Sequence, residues 1–501
     1  MSDLRLETLI AERDEPNDRV DLNETLEIAG NSGLYQKIIL CLFSFVSFSL
    51  GVNFIAVPFL FYHPVFKCKD IHGNLTDCSE KQACSNPYGF VVESEKISLT
   101  TEYQIYCDNA YKEEWAKAFL YFWVAILVSS FSMISDKIGR RKALLGMAIM
   151  YLVASAVVIF AKIFEVVWFA FCCAYATGST YFSISSIYFT ETSGVRFRNM
   201  ATGVSFSFFA FGCITMTFIF MFIEKITNVY YISMTCAAIW IFIFLWITET
   251  PYFLLTKGRR YHLMQAFSRI IKFNHPNNVE EVYDEVEVSL QNKKVTVQYR
   301  ESTLIPRDQQ KKIWVKIGFA CLSFLNCCSI YYLSYLVVQA IGFKSIYTGT
   351  IFMELAELAG NFTVVGLSSK LQRRFVNILT CIMQLIFTIL FLLVEWIPEL
   401  KSLPKVSLIQ AILSIFIRYI VVINYTLLFT YATELVPTLF RGRMLGSVGL
   451  FNKFGGVTAS FFEAWSKKLE YHPFTFSGAF SLLGLLAALM LPETLNKPIL
   501  Q

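Results

Sequence analysis

Four ionisable residues stand in runs otherwise apolar enough to cross a membrane. They are Glu354 and Glu357 in "IFMELAELAG", Arg418 in "IFIRYIVV" and Lys453 in "GLFNKFGGV". On insertion scales a charge at the centre of a spanning helix costs about 2.5–3.5 kcal/mol, so such residues face a cavity or a partner. Lys453 has no acid among its immediate neighbours. A lysine is a compact point charge that can hold a carboxylate, without the bidentate fork of arginine. The chemistry these residues define is recognition of a charged solute at membrane depth. The alternative is pairing within the bundle, with Lys453 held by Glu354 or Glu357.

Tyrosines accompany the charges. Tyr331 and Tyr332 lie in "CCSIYYLSY", and Tyr425 follows Arg418 by seven residues, two turns along one helix face. Such rings stack on flat organic ions or cage a quaternary amine. With 48 phenylalanines in the chain, most aromatics must instead face lipid or core. Asn326 and Asn361, uncharged polar residues in apolar runs, are expected to line the same cavity.

The elements that position these residues are membrane helices. The chain has 501 residues, 55% hydrophobic and 16% charged, with a mean hydropathy of +0.51. Soluble domains carry about 25% charged residues. Apolar runs of spanning length fall near 35–62, 114–134, 142–160, 164–189, 200–222, 228–248, 313–335, 346–368, 375–396, 406–432, 445–464 and 474–491. These predict an all-α polytopic protein with twelve transmembrane helices. Residues 1–34 read as a polar N-terminal tail, 35–249 as a six-helix half, 250–312 as a linker, 313–491 as a second half and 492–501 as a C-terminal tail. The net charge of +5 is modest, with no concentrated basic field of the kind that nucleic acid requires.

Basic loops "SDKIGRRK", "VRFRN", "SSKLQRR" and "LFRGR" follow the second, fourth, eighth and tenth runs. By the positive-inside rule they are cytoplasmic, which places both termini and the linker in the cytosol. The first outside loop, 63–112, is polar. It holds Cys68, Cys78, Cys84 and Cys107 and the glycosylation acceptor Asn74-Leu75-Thr76. Four cysteines in an oxidising compartment predict two disulfides in one of three connectivities. Sequons at Asn361 and Asn424 fall inside predicted helices and are out of reach of glycosylation.

The halves repeat. Thr190-Glu191 is followed by Arg198 and Gly203; Thr433-Glu434 is followed by Arg441 and Gly446 at the same offsets. "ISDKIGRR" echoes "LSSKLQRR", and "TETP" echoes "PETL". Asp136, Arg140, Glu191, Arg198, Glu249, Glu434, Arg441 and Glu493 are therefore expected to form salt bridges that close an inside gate. The plainer reading is that each is a solvated topological charge.

At this level the chain resembles the major facilitator superfamily, whose substrate site lies mid-membrane between two six-helix halves. "SMISDKIGRRK" is similar to its loop motif, with Ser132 in place of the first glycine. "TETPYFLLTKGR" is similar to the segment after helix six of sugar and organic ion transporters, with Tyr252 in place of the usual arginine. The long cysteine-bearing loop, "TTEYQIYCDNAYKEEW" before helix two and "TELVPTLFRGRMLG" after helix ten narrow the resemblance to the organic cation/anion/carnitine transporter family, over about residues 35–498. The loop carries fewer cysteines than the six usual in vertebrate members.

The resemblance implies roles. Lys453 occupies a helix-eleven site that is aspartate in cation transporters and arginine in anion and carnitine members. Arg418 falls on the family's basic position in helix ten, Glu357 on its acidic position in helix eight, and Tyr331 and Tyr332 on the paired tyrosines of anion members. Glu354 has no counterpart. The implied function is a plasma-membrane transporter of small organic ions by alternating access, organic anions or carnitine-like zwitterions ahead of simple cations. A monomer in contact with lipid is expected. Alternatives are a sugar or neutral metabolite carrier of the same fold, or a non-transporting glycoprotein scaffold. No phosphate-binding loop, nucleophile motif or metal-ligand spacing is present, and the five histidines lie outside the spans. The reading is of no enzyme, no cofactor and no metal, with the coupling ion left open.

Overall fold

The computed structural model describes residues 22–30, 32–70, 74–94, 96–291, 307–336, 345–367, 372–401, 405–435, 438–469 and 471–494. Among these, twelve helices reach 17 residues or more: α1 Leu34–Leu60, α2 Tyr111–Ile138, α3 Arg140–Phe160, α4 Phe164–Thr192, α5 Val195–Phe222, α6 Tyr230–Trp246, α7 Arg307–Leu336, α8 Ile346–Leu367, α9 Arg373–Trp396, α10 Val406–Glu434, α11 Thr438–Leu469 and α12 Phe474–Met490. Eight are long and apolar enough to cross a membrane by length and composition, and α12 is a shorter apolar helix. The remaining three, α4, α8 and α11, carry the hydroxyls, Glu354, Glu357, Asn452 and Lys453 that lower their hydropathy.

The packing repeats between halves. α1 lies on α5 as α7 lies on α11, and α3 on α6 as α9 on α12; the halves meet along α2–α11 and α5–α8. Small residues permit the closest approaches. A Cβ on Gly455 would stand 2.6 Å from Cys328 Cβ and 2.8 Å from Ser329 N, so only glycine lets α11 lie this close to α7. α11 is continuous through Gly455 and Gly456, so the pair serves close packing, not a bend. Val153, Phe242, Ile389 and Leu486 are exposed on the helix exteriors, as a lipid-facing surface requires.

One face of the bundle carries a small three-stranded antiparallel sheet of β1 Val65–Lys69, β2 Leu75–Cys78 and β3 Phe90–Glu93, in the order β2-β1-β3. Its core amounts to Phe66, Cys68 and Ala83 under Phe90, Val92 and Tyr106. So little apolar burial needs covalent staples, and they are present as Cys68–Cys78 and Cys84–Cys107. This settles the connectivity left open by the sequence. Lys96 Nζ ties the loop down by donating to Met221 O (2.8 Å) and Ile223 O (2.9 Å).

The opposite face carries the linker, which forms helices over Pro251–Thr256, Arg260–Asn274 and Val279–Gln291. Part of the expected N-terminal tail is structured as well. Leu22–Ile28 is a helix whose Leu22 and Leu26 are buried, and Thr25 Oγ1 is 3.1 Å from Ser289 Oγ. Asn274 Nδ2 donates to Ala29 O and Gly30 O, and its Oδ1 accepts from Tyr35 N at 2.9 Å. These bonds latch the start of α1 to the linker.

Candidate functional site: a central cavity and two sets of ion pairs

A cavity lies between the halves, walled by α1, α2, α4 and α5 from the first and α7, α10 and α11 from the second. Tyr331, Tyr332, Tyr425, Phe54, Phe206 and Phe209 supply aromatic surface; Asn53, Asn452, Ser179 and Ser183 supply polar groups. Lys453 is the one charged side chain on the wall among the described residues. The space is about 50 Å³, room for a few waters and well below the roughly 300–1,000 Å³ of a small-molecule pocket. The structure is thus a contracted state, and the aromatic wall must part to admit a solute.

Lys453 is buried, donates to Tyr332 Oη at 2.5 Å and lies 5.2 Å from the centre of that ring. No carboxylate pairs with it among the described residues. Pairing with Glu354 or Glu357 is therefore not what this structure holds. Both glutamates sit with Arg418 behind the wall. Arg418 Nη2 binds Glu357 Oε2 and stands 4.0 Å from Glu354 Oε1. Its Nη1 donates to Tyr331 O (2.9 Å) and Ser334 Oγ (3.0 Å), and its guanidinium covers the Tyr331 ring at 3.8 Å. Tyr331 also donates its hydroxyl to Glu357 at 3.1 Å and stacks on Tyr425, ring centres 5.1 Å apart. Arg418, Glu357 and Glu354 are thus absent from the wall and hold one of its tyrosines in place. Tyr425 is on the wall and accepts from Asn452 Nδ2 at 3.0 Å.

The two asparagines expected in the cavity are turned away from it. Asn326 Oδ1 accepts from Gln384 Nε2 of α9, and Asn361 Oδ1 accepts from Thr426 Oγ1 of α10 at 2.7 Å. Asn326 precedes Tyr331 by five residues, about 140° around the helix at 3.6 residues per turn. It cannot share their face.

The repeated charges form one matched cluster per half at the linker face. In the first, Arg140 Nη2 binds Glu191 Oε1 (2.8 Å) and Asp136 (3.0 Å), and Thr250 Oγ1 donates to Glu191 Oε2 (2.6 Å). Glu249 Oε1 accepts from the backbone N–H of Arg140 and Arg141. The turn before them needs Gly139, at φ +106°, whose added Cβ would strike the Glu249 carboxylate. In the second half, Arg373 Nε lies 3.4 Å from Glu434 Oε2, Thr494 Oγ1 donates to that oxygen (2.8 Å), and Glu493 accepts from the N–H of Arg373 and Arg374. Each of these bonds joins residues of one half. The side chains of Arg198 and Arg441 lie outside the described residues. Arg373 was not among the sequence candidates, although the echo of "ISDKIGRR" in "LSSKLQRR" aligns it with Arg140.

At the loop face, bonds cross the seam. Lys117 of α2 binds Glu113 (2.8 Å) and Glu463 of α11 (3.2 Å), all three buried. His63 Nε2 is 3.5 Å from Glu113, and Phe59 of α1 stacks on Tyr347 of α8 at 5.3 Å. The sequence offered no motif for this closure.

The fold and the paired site define a carrier whose cavity lies between two repeated halves, and a family model agrees. Residues 115–460 match the Major Facilitator Superfamily. The chain belongs to that superfamily and is a membrane transporter, not an enzyme. It is similar to members of solute carrier family 22 and to proteins named organic anion transporter 3. Human solute carrier family 22 member 13 is 23% identical over 423 residues, 83% of this chain and 72% of that protein. Pig organic anion transporter 3 is 22% identical over 424 residues, 81% and 73% of the two chains. Mouse solute carrier family 22 member 4 is 22% identical over 431 residues, 83% and 73%. Among solved structures, the proton:xylose symporter XylE with a bound bromo-deoxyglucose superposes with a TM-score of 0.67 at 13% identity, covering 93% of this chain and 98% of that one. The human organic anion transporter MFSD10 gives 0.57 at 13%, covering 90% and 99%. At these identities the structures speak for the fold alone.

Proposed function

We propose that this protein carries small organic anions or carnitine-like zwitterions across the plasma membrane by alternating access, with both termini in the cytosol. The observation that carries the reading is Lys453, the sole charge on the cavity wall among the described residues, with no carboxylate partner there. In a site screened from water, opposite charge attracts strongly and like charge repels. A carboxylate entering the cavity meets one uncompensated ammonium, and stacked tyrosines offer surface to an organic body. Three of the relatives are named organic anion transporter 3, from pig, human and Pongo abelii, which supports the anion reading.

The Lys117–Glu463 closure at the loop face must open as the halves rock, while the two clusters at the linker face brace the helices of each half. The test is uptake into proteoliposomes of an aryl carboxylate and an aryl trimethylammonium of matched size, with wild type and Lys453→Asp side by side.

A further inference from the structure

The cluster behind Tyr331 does not balance its charge. Glu354, Glu357 and Arg418 are each at most 2% exposed, so two carboxylates share one guanidinium out of reach of water. Glu357 is fully engaged by Arg418 and by the hydroxyls of Tyr331 and Tyr335. Glu354 is not. Its Oε1 meets Tyr335 Oη, its Oε2 is buried with no N–H or O–H donor, and the weakly donating Cys213 thiol lies beside the carboxyl. The groups around it are Glu357 on its own helix, Tyr331 and Tyr335 on α7, Arg418 on α10 and Cys213 on α5. None but Arg418 brings positive charge; Lys453 is engaged with Tyr332.

Hydrogen counting is compatible with a proton here. Tyr335 Oη lies within bonding reach of both Glu354 Oε1 and Glu357 Oε2, yet a phenol has one hydrogen. If that hydrogen goes to Glu357, the contact with Glu354 needs a hydrogen from the glutamate. An uncompensated buried carboxylate is costly, and a bound proton removes the charge.

We propose that this cluster holds one exchangeable proton, carried on Glu354 and donated to Tyr335 Oη, and that its exchange accompanies transport. In the step, the Glu354 O–H bond breaks, the proton passes to water on the side to which the bundle opens, and the electron pair stays on the carboxylate. Reloading from the other side is the reverse, with no change of oxidation state. Tyr331 links the cluster to the cavity: its ring is on the wall while its hydroxyl donates to Glu357. A solute that moves the ring withdraws that donor. A proton fits better than a metal ion, because no group of three His, Cys, Asp or Glu residues is placed to hold one among the described residues. The link to transport rests on the proposed function, but the proton itself does not.

The experiment is infrared spectroscopy of the full-length protein in liposomes, without substrate. Wild type is expected to show a protonated-carboxyl stretch at neutral pH that shifts on transfer to D₂O. Glu354→Gln, nearly isosteric, should lose that band, whereas Glu463→Gln at the loop face should keep it. A wild-type spectrum without the band, or a band unchanged in Glu354→Gln, overturns the site. A band that never shifts in D₂O overturns the exchange. None of these outcomes depends on which solute is carried.

Discussion

Lys117 Nζ stands 3.2 Å from Glu463 Oε1, across the seam between α2 and α11. Both residues are buried, and Glu113 takes the same ammonium from the other side. This pair joins the halves at the loop face, whereas the Arg140–Glu191 and Arg373–Glu434 pairs of the linker face each join helices of one half. Removing one member of a buried pair leaves the others with uncompensated charge. Lys117→Met should therefore open the loop face. A cysteine at the cavity position Asn452, in a background carrying Cys41→Ser, should react with a membrane-impermeant thiol reagent about tenfold faster, the equivalent of about 1.4 kcal/mol of lost closure. Unchanged labelling would mean that the pair is no part of the gate.

The linker-face clusters predict matched behaviour at positions 233 residues apart. Arg140→Gln strips Glu191 of its guanidinium, and Arg373→Gln does the same to Glu434. Each should lower the maximal transport rate several-fold while leaving the half-saturation concentration nearly unchanged, because neither residue is on the cavity wall. A large loss in one and none in the other would deny the two clusters a common role.

Sidedness is testable at Asn74, an exposed residue next to β2. If the loop face is outside, the sequon receives a glycan, and peptide N-glycosidase should increase the gel mobility of wild type but not of Asn74→Gln. Wild type that runs unglycosylated when expressed at the surface of animal cells would contradict the orientation.

Much of this was legible in the chain. Apolar runs of spanning length located all twelve long helices, because a spanning helix must satisfy its backbone internally and hide it in apolar side chains. The loop cysteines announced two disulfides, but the pairing depended on how three short strands folded back on one another. Lys453 was legible as a costly charge. That Arg418, and not Lys453, takes both glutamates required the relative rotation of α7, α8, α10 and α11, which local sequence does not encode. Arg373 is legible in the repeat as the counterpart of Arg140, although Ser369 stands where the first half has Asp136. The Lys117–Glu463 bond joins residues 346 apart, each of which reads as an ordinary charge near a helix end. The helix at 22–28 did leave a trace, since Leu22 and Leu26 share one face four residues apart.

The central claim is that Lys453 sets the sign of the solute. At about 4 Å and an effective dielectric near 20, reversing a unit charge changes its interaction with a solute charge by several kcal/mol, enough for a change of tenfold or more in uptake. The direct measurement is proteoliposome uptake of the matched aryl carboxylate and aryl trimethylammonium by wild type and by Lys453→Asp, normalised to the amount of folded protein reconstituted. Wild type should prefer the carboxylate, and Lys453→Asp should lose at least about tenfold of that uptake while cation uptake holds or rises. Undiminished carboxylate uptake by Lys453→Asp would contradict the account.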